Sequence, residues 1–391
     1  MATANNRLAL SREHVIFAVK ETTKGTLAFP AATDLVIPAG NGSIGQAPTY
    51  TDSEEIVDSR SLMDQFRDAL SAGTWNLPMY MRCGAAGASP QGSAILESQF
   101  GSKTVVGSTS VTYGLSKILP SFSLWMKYGD AVFFANGATA NQAKLSVVKK
   151  GAVKFDFSGQ FMAMGWVGTD ELSAAIDYIA TPITAIPVKD AKKYCVGGKI
   201  KVGTDDNAGL GYAVTAVNVT TNILTISPGV ETDQADDTVV APFLPTGTVI
   251  GAPVEARTFR VSLDGGVTAR KITSMDLTFD NGIQYMEEEI GEEENPTDYV
   301  EGQRSVKSSL TILMRRDDLE HFYDGMQAGV SKDAVISFGD DATAGKLASI
   351  AMPNSRLTVP TLSPSAPTVK MNMELTALGT AGEDEISMLV D

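Results

Sequence analysis

Ten carboxylates in two short segments are the side chains whose types and spacing come nearest to a chemical site. Asp52, Glu54, Glu55 and Asp58 lie in Asp52-Ser-Glu-Glu-Ile-Val-Asp58. Glu287, Glu288, Glu289, Glu292, Glu293 and Glu294 pack six glutamates into eight positions ahead of Asn295-Pro296. Hard oxygen ligands at this density suit a cation such as calcium. The spacing matches no helix–loop–helix calcium loop, however, and runs of like charge are usually solvated faces. The segments read better as loops that meet an oppositely charged patch on a neighbouring subunit.

The other candidate sites fail on context. Gly40-Asn-Gly42-Ser-Ile-Gly45 spells the dinucleotide fingerprint, yet Pro48 and Thr49-Tyr50-Thr51 follow where a helix must begin. Gly339-Asp-Asp-Ala-Thr-Ala-Gly345-Lys346 has one spacer too many for a phosphate loop, two aspartates inside the cradle and Leu347 in place of a magnesium-binding hydroxyl. The only histidines, His14 and His321, fall in different elements with no nucleophile marked beside them. Cys83 follows Arg82, a neighbour that lowers a thiol pKa, but a lone cysteine near a strand end is usually structural. No enzyme and no cofactor is expected. Trp75, Trp125 and Trp166 read as core residues.

Composition narrows the classes further. A chain of 391 residues that is 43% hydrophobic and 20% charged can bury a core, which excludes wholesale disorder. A net charge of −15 has the wrong sign for gripping nucleic acid by its phosphates. No apolar run reaches the roughly 18 residues of a membrane helix, and Met1–Arg7 shows no apolar signal-peptide core. The two cysteines, Cys83 and Cys195, cannot make a disulfide framework.

The elements that would carry any site are mostly strands. Val153–Phe161 and Val369–Leu375 alternate apolar and polar residues, the mark of antiparallel strands with one wet face. Further strands are expected at His14–Val19, Ser121–Lys127, Ala131–Ala135, Phe259–Leu263, Met275–Phe279, Leu310–Met314 and Ala334–Phe338. Asn136-Gly137, Asn281-Gly282 and Asp264-Gly265 read as hairpin turns. Helices are expected at Ser89–Phe100, Ser173–Ile179 and Asp317–Met326.

Three anchors recur in order, so the chain reads as duplicated. Leu35–Ile37 pairs with Met275–Leu277, Trp75–Arg82 with Ser308–Arg315 and Val153–Phe161 with Val369–Ala377, at offsets of 240, 233 and 216. A helix is expected after the second anchor of each copy. Between the copies, closely spaced short strands and turns suggest a small inserted β-barrel or sandwich with proline-bearing hinges at Thr184–Val188 and Pro245–Pro253. The organisation is thus 1–180, first unit; 187–253, insert; 257–391, second unit.

Strand order and texture resemble the major tail tube proteins of long, non-contractile-tailed bacteriophages. The similarity rests on Ile272–Gly282 before a long loop, Ser308–Arg315 with Asp317–Met326, and the closing strands Val153–Met164 and Val369–Leu378. It covers about 1–180 and 257–391. The resemblance implies a mainly β fold of two tandem β-sandwich or half-barrel units, each with a short helix. It further implies a structural virion protein whose stacked rings form a hollow tube for DNA, with two units per chain giving trimeric rings of pseudo-sixfold symmetry.

The two acidic segments then become candidates for reaching an adjacent ring. Expected partners are other copies of the chain, tape measure protein, tail terminator and distal tail proteins, with DNA only transiently in the lumen and no membrane insertion. The expected location is the virion tail, assembled in the host cytoplasm, with the insert on the tube exterior. The alternative is a tail-tip or surface protein that binds carbohydrate or a receptor. Its insert would have to supply exposed aromatics, and holds only Tyr194, Tyr212 and Phe243.

Overall fold

Period-two alternation becomes paired strand through most of the chain in the computed structural model. The structure describes residues 14–55, 61, 63–148, 151–266, 269–270, 272–287, 294–314, 329, 331–340, 343, 345–358, 361–365 and 368–391. The fold is mainly β. One α-helix, α1 (Ser93–Phe100), occurs among the described residues, entered from Gly92 and stopped by Gly101, both in the left-handed region. The expected helix at Asp317–Met326 lies outside the described residues. Two compact units result: 14–36, 122–138 and 163–248 in the first, 37–121, 139–162 and 249–391 in the second.

The first unit holds two sheets. One runs β2 (Leu35–Val36), β1 (His14–Lys20), β9 (Phe122–Tyr128), the start of β10 (Ala131–Val148) and β12 (Ala163–Val167). The other has the order β13 (Asp170–Glu171), β18 (Val239–Pro242), β15 (Lys199–Val202), β16 (Tyr212–Asn218), β17 (Ile223–Val230), β14 (Ile183–Pro187). A single apolar core serves both, joining Phe17, Trp125, Phe134 and Val167 to Leu172, Ile186, Ile200, Leu224 and Ile226.

Several expectations change here. The inserted sheet begins at β13, before residue 187, and the supposed hinge Thr184–Val188 is mostly β14, paired with β17. Thr248–Ala252, one of the short strands expected in the insert from its run of small and apolar residues, forms no strand. Ser173–Ile179 is not helical: Leu172 and Ile176 have helical spacing, but bridges to Val188 and Gln234 hold them extended and buried. Asn136-Gly137 is a bulge inside β10 rather than a turn, because a positive φ serves either purpose. Buried Glu21 accepts hydrogen bonds there from the Gly137 N–H and the Ser123 hydroxyl, both at 2.8 Å.

The second unit is built on one long ladder. Its order is β3 (Ser43–Gly45), β6 (Gly73–Tyr80), β11 (Lys154–Phe161), the end of β10, β21 (Ile272–Asp280), β24 (Ser305–Leu313) and β28 (Thr368–Ala377). Beyond β28 lie β27 (Thr361–Ser365) and β26 (Leu347–Leu357). From β26 the pairing passes to β25 (Lys332–Gly339), β19 (Arg260–Ser262) and β20 (Ala269–Arg270), and separately to β29 (Ser387–Val390), β8 (Ser110–Leu115) and β7 (Gly101–Val106). Among the described residues the strand pairings close no ring.

The two halves of the chain repeat one another pair for pair. Leu77↔Phe157 on β6 and β11 matches Leu310↔Met373 on β24 and β28. Leu145↔Phe155 on β10 and β11 matches Leu362↔Met371 on β27 and β28. Met126↔Phe133 matches Ile336↔Ile350, and Phe133↔Trp166 matches Ile350↔Met388. Ile16↔Met126 and Ile16↔Val36 match Val261↔Ile336 and Val261↔Arg270. Every pair compared lies within one unit, and each residue keeps one equivalent throughout.

The second and third sequence anchors agree with this correspondence and the first does not. Leu35-Val36 is equivalent to Ala269-Arg270, whereas Asp276–Thr278 is equivalent to Ser43–Gly45 of β3. Leu35-Val36 stands before Asn41-Gly42 and Ser43–Gly45 directly after it, and alternation alone cannot tell which of these two short strands answers Met275–Leu277. After β3 comes a hairpin arm, β4 (Pro48–Asp52) with β5 (Gln65–Leu70). After β21 comes its counterpart, β22 (Gln284–Tyr285) with β23 (Tyr299–Val300).

Candidate assembly surface

Asp52, Glu54, Glu55, Glu287 and Glu294, the described members of the acidic segments, end, follow or flank the strands of the two arms, and the second unit brings part of them together. The Glu294 carboxylate pairs with Arg67 of β5 at 2.5 Å, and its carbonyl accepts the Leu70 N–H at 2.8 Å. Glu287 accepts the Ala72 N–H at 2.7 Å. Gln46 ties the same place down, donating to the carbonyls of Ser71 and Met162. Asp52 accepts from the Gln65 side chain at 2.7 Å, within the first arm. Glu54 and Glu55 are exposed beyond it. Asp58, Glu288, Glu289, Glu292 and Glu293 lie outside the described residues. Arg67 and Glu294 are each more than half exposed, so solvent screens their pairing and it orients the arms more than it stabilises them.

The junction between the halves is polar where it leaves the sheet. Asn281, read in the sequence as a turn residue, is buried, and its Nδ2 donates to the carbonyls of Gln99 at 2.9 Å and Ala140 at 3.1 Å. Its Oδ1 accepts from Arg304, which also pairs with Glu383 at 2.9 Å and donates to the Ser116 carbonyl. Arg304 did not stand out in the sequence and Asn281 did so only as a turn residue, because no local pattern marks a buried side chain that satisfies distant carbonyls. Beneath the junction, Phe100 of α1 meets Phe279 edge-on at 5.3 Å.

The long ladder has one apolar and one wet face. Leu77, Phe157, Leu145, Leu277, Leu310 and Met373 share the buried side. The wet side carries Lys144, Lys154, Lys307 and Lys370 against Asp156, Asp276, Asp280 and Glu374, so it is balanced in charge despite the acidity of the whole chain. Lys154 and Asp156 neutralise one another at 2.8 Å.

Catalytic chemistry finds no footing among the described residues. Among the described residues no group of three His, Cys, Asp or Glu side chains could hold a metal ion. Burial, not Arg82, governs Cys83, pushing its thiol up to about 12 and keeping it protonated. The dinucleotide-like segment ends in β3 instead of a helix, and Gly339–Lys346 merely links β25 to β26. Trp75 and Trp125 are core residues as expected, but Trp166 is 37% exposed because β12 turns its neighbours inward instead. In the first unit a cleft of about 440 Å³ is lined by Val15, Lys127, Asp130, Lys201, Asp206 and Phe243 and gathers no convergent catalytic set.

The described residues thus form a mainly β chain with two hairpin arms and open strand edges. The family model described as phage tail tube protein matches residues 11–377, and the chain belongs to that family. The family is structural and non-enzymatic, and membership implies a place in the virion tail. Comparison with curated proteins finds no match. Among solved structures, the cap that terminates the tube of an anti-feeding prophage, determined by cryo-electron microscopy, superposes with a TM-score of 0.27 at 17% identity, covering 37% of this chain and 95% of that one. A superposition that loose bears on neither fold nor function. No helix among the described residues is long and apolar enough to cross a membrane.

Proposed function

We propose that the chain is the repeating subunit of a long, non-contractile phage tail tube, with three copies closing a ring of pseudo-sixfold symmetry and rings stacking into a channel for DNA. The observation that carries this reading is the repetition of strand pairings, Leu77↔Phe157 against Leu310↔Met373 and its companions. Two equivalent halves per chain turn three chains into six positions. Open ladder edges are an aggregation hazard in isolation and are removed by closure against further copies. Stacking of rings is a head-to-tail contact that does not close, and so grows a filament.

The arms that bear Asp52, Glu54, Glu55, Asp58 and Glu287–Glu294 are the contacts between rings. The wet ladder face, polar and balanced in charge, lines the channel and lets DNA slide without the counterion release that a basic wall would drive. Tape measure, terminator and distal tail proteins meet the ends of the tube, and assembly takes place in the host cytoplasm. The 187–253 segment decorates the exterior.

Negative-stain electron microscopy of the purified chain tests the proposal. Hollow tubes with three outer knobs per ring are expected. Six knobs would remove the two-unit account, and a particle that stays monomeric at every concentration would overturn the tube reading. Deleting 187–253 is a poor test of that segment's role, because it would strip Ile200, Leu224 and Ile226 from the core that also holds Trp125 and Phe134. Gold labelling of a cysteine placed at exposed Val219 locates it without that damage.

A further inference from the structure

The chain contains a template for its own pairing with the next copy. In the ladder of the second unit, the outermost strand contributed by the first half meets the outermost strand contributed by the second: β10 pairs with β21 through Leu145↔Leu277, Lys144↔Thr278 and Ser146↔Asp276. The equivalents of these strands are β27 and β3. Leu145 corresponds to Leu362 by its partner on β28, and Leu277 corresponds to Ile44 by its partner on β6. Among the described residues β27 pairs with β28 and β3 pairs with β6, each on one side only.

We infer that β27 of one copy pairs antiparallel with β3 of the next, in the register Leu362↔Ile44, Thr361↔Gly45 and Ser363↔Ser43. This deepens the tube reading and rests on it, naming the edges and the alignment through which one copy meets another.

Backbone direction supports this register. The Val369 carbonyl accepts the Met314 N–H, so Val369 faces β24 and the alternation of an antiparallel strand turns Lys370 toward β27. Ser363, opposite Lys370, therefore faces β28, and the amide and carbonyl of Leu362 face outward. In the template, Asn281 N–H donates to the Asn141 carbonyl, so Leu277 also presents its backbone to β10. Leu362 and Ile44 thus become a pair that exchanges both hydrogen bonds.

Their side chains agree. Leu362 is 45% exposed and Ile44 is half-buried, and pairing sets both against apolar neighbours on the core face of the ladder. Pro364, outward on the same edge, has no N–H to give, a common guard against promiscuous edge pairing. Because the two edges differ, the contact is head-to-tail around the ring instead of two-fold.

Disulfide trapping tests the register. Ser43 and Ser363 would be a pair without mutual hydrogen bonds, whose Cα atoms stand about 4.5 Å apart, inside the range a disulfide accepts. In a Cys195→Ala background, S43C/S363C is expected to give a ladder of covalent dimers and trimers on a non-reducing gel once tubes form, collapsing with reductant. S43C/T361C, displaced by two residues, should stay largely uncrosslinked, and S43C mixed with S363C should stop at dimers. Tubes seen by microscopy without the S43C/S363C ladder, or with equal trapping of the displaced pair, overturn the register and leave the tube reading standing. Dimers from S43C alone overturn the head-to-tail direction. A chain that neither traps nor forms tubes overturns the tube reading, and the pairing with it.

Discussion

Trp75 and Gly159 face each other across β6 and β11, and their fit sets a stability that can be worked out. The Trp75 side chain is 2% exposed, and its indole N–H donates to the Thr139 carbonyl at 3.1 Å. A Cβ on Gly159 would stand 1.8 Å from that carbonyl oxygen and 2.9 Å from the indole nitrogen. Gly159→Ala must therefore push the carbonyl aside and break the bond. Overpacking costs about 1–3 kcal/mol and the lost hydrogen bond about 1 kcal/mol, giving about 3 kcal/mol in all. Trp75→Phe keeps most of the apolar bulk and loses the same bond, at about 1.5 kcal/mol. Since the bond can be lost only once, the double variant should fall about 1 kcal/mol short of the sum. Urea unfolding followed by circular dichroism on all four proteins, at equal protein concentration, measures this. Strict additivity, or a Gly159→Ala variant as stable as the parent, would refute the reasoning. The second half solves the same cross-strand position the other way round, with buried Ser308 opposite buried Leu375.

Other outcomes follow from the same packing. Ser308 Oγ is buried with no hydrogen-bond partner among the described residues, so Ser308→Ala should be neutral or stabilise by up to about 1 kcal/mol in the same unfolding assay. Asn281→Ala leaves the Gln99 and Ala140 carbonyls unsatisfied and should cost about 1–3 kcal/mol, read as an earlier urea midpoint. Native protein should expose one thiol to a maleimide promptly, that of half-buried Cys195, while buried Cys83 reacts only after denaturant is added; mass spectrometry of the labelled peptides distinguishes them. Burial works to raise the Asp205 pKa, but hydrogen bonds from Thr232, Tyr212 and the Asn207 N–H together hold it below the usual 3.8. Its contribution is complete above that value and drains away as pH falls through the lower folded one, so Asp205→Asn should melt earlier at pH 6 and show a shallower loss in acid.

What the sequence revealed depended on whether the signal was local. Val153–Phe161 and Val369–Leu375 alternate cleanly, and their strands and their equivalence were legible before any coordinates. The first anchor slipped because Leu35-Val36 and Ser43–Gly45 are both too short to carry a register; only their partners, β1 and β6, fix it. Leu172 and Ile176 imitated a helix because burial at a spacing of four does not reveal which backbone achieves it. The insert looked separable because turns surround it, whereas the core it shares with Trp125 and Phe134 is visible only in three dimensions. Charge drew attention to the arms, but the seats of Glu287 and Glu294 on Ala72 and Arg67 join residues more than two hundred positions apart.

In the proposed tube the β10–β21 junction also changes the kinetics of growth. Because Leu145 and Leu277 belong to one polypeptide, that seam forms during folding and needs no encounter between molecules. Tethering replaces solution concentration with a local one in the millimolar range for short linkers. Each added chain then brings one seam already made and must find only one more, so a ring of linked pairs closes through half as many intermolecular seams as a ring of single units. Growth should accordingly depend less steeply on subunit supply, which favours finishing a ring already begun over starting another.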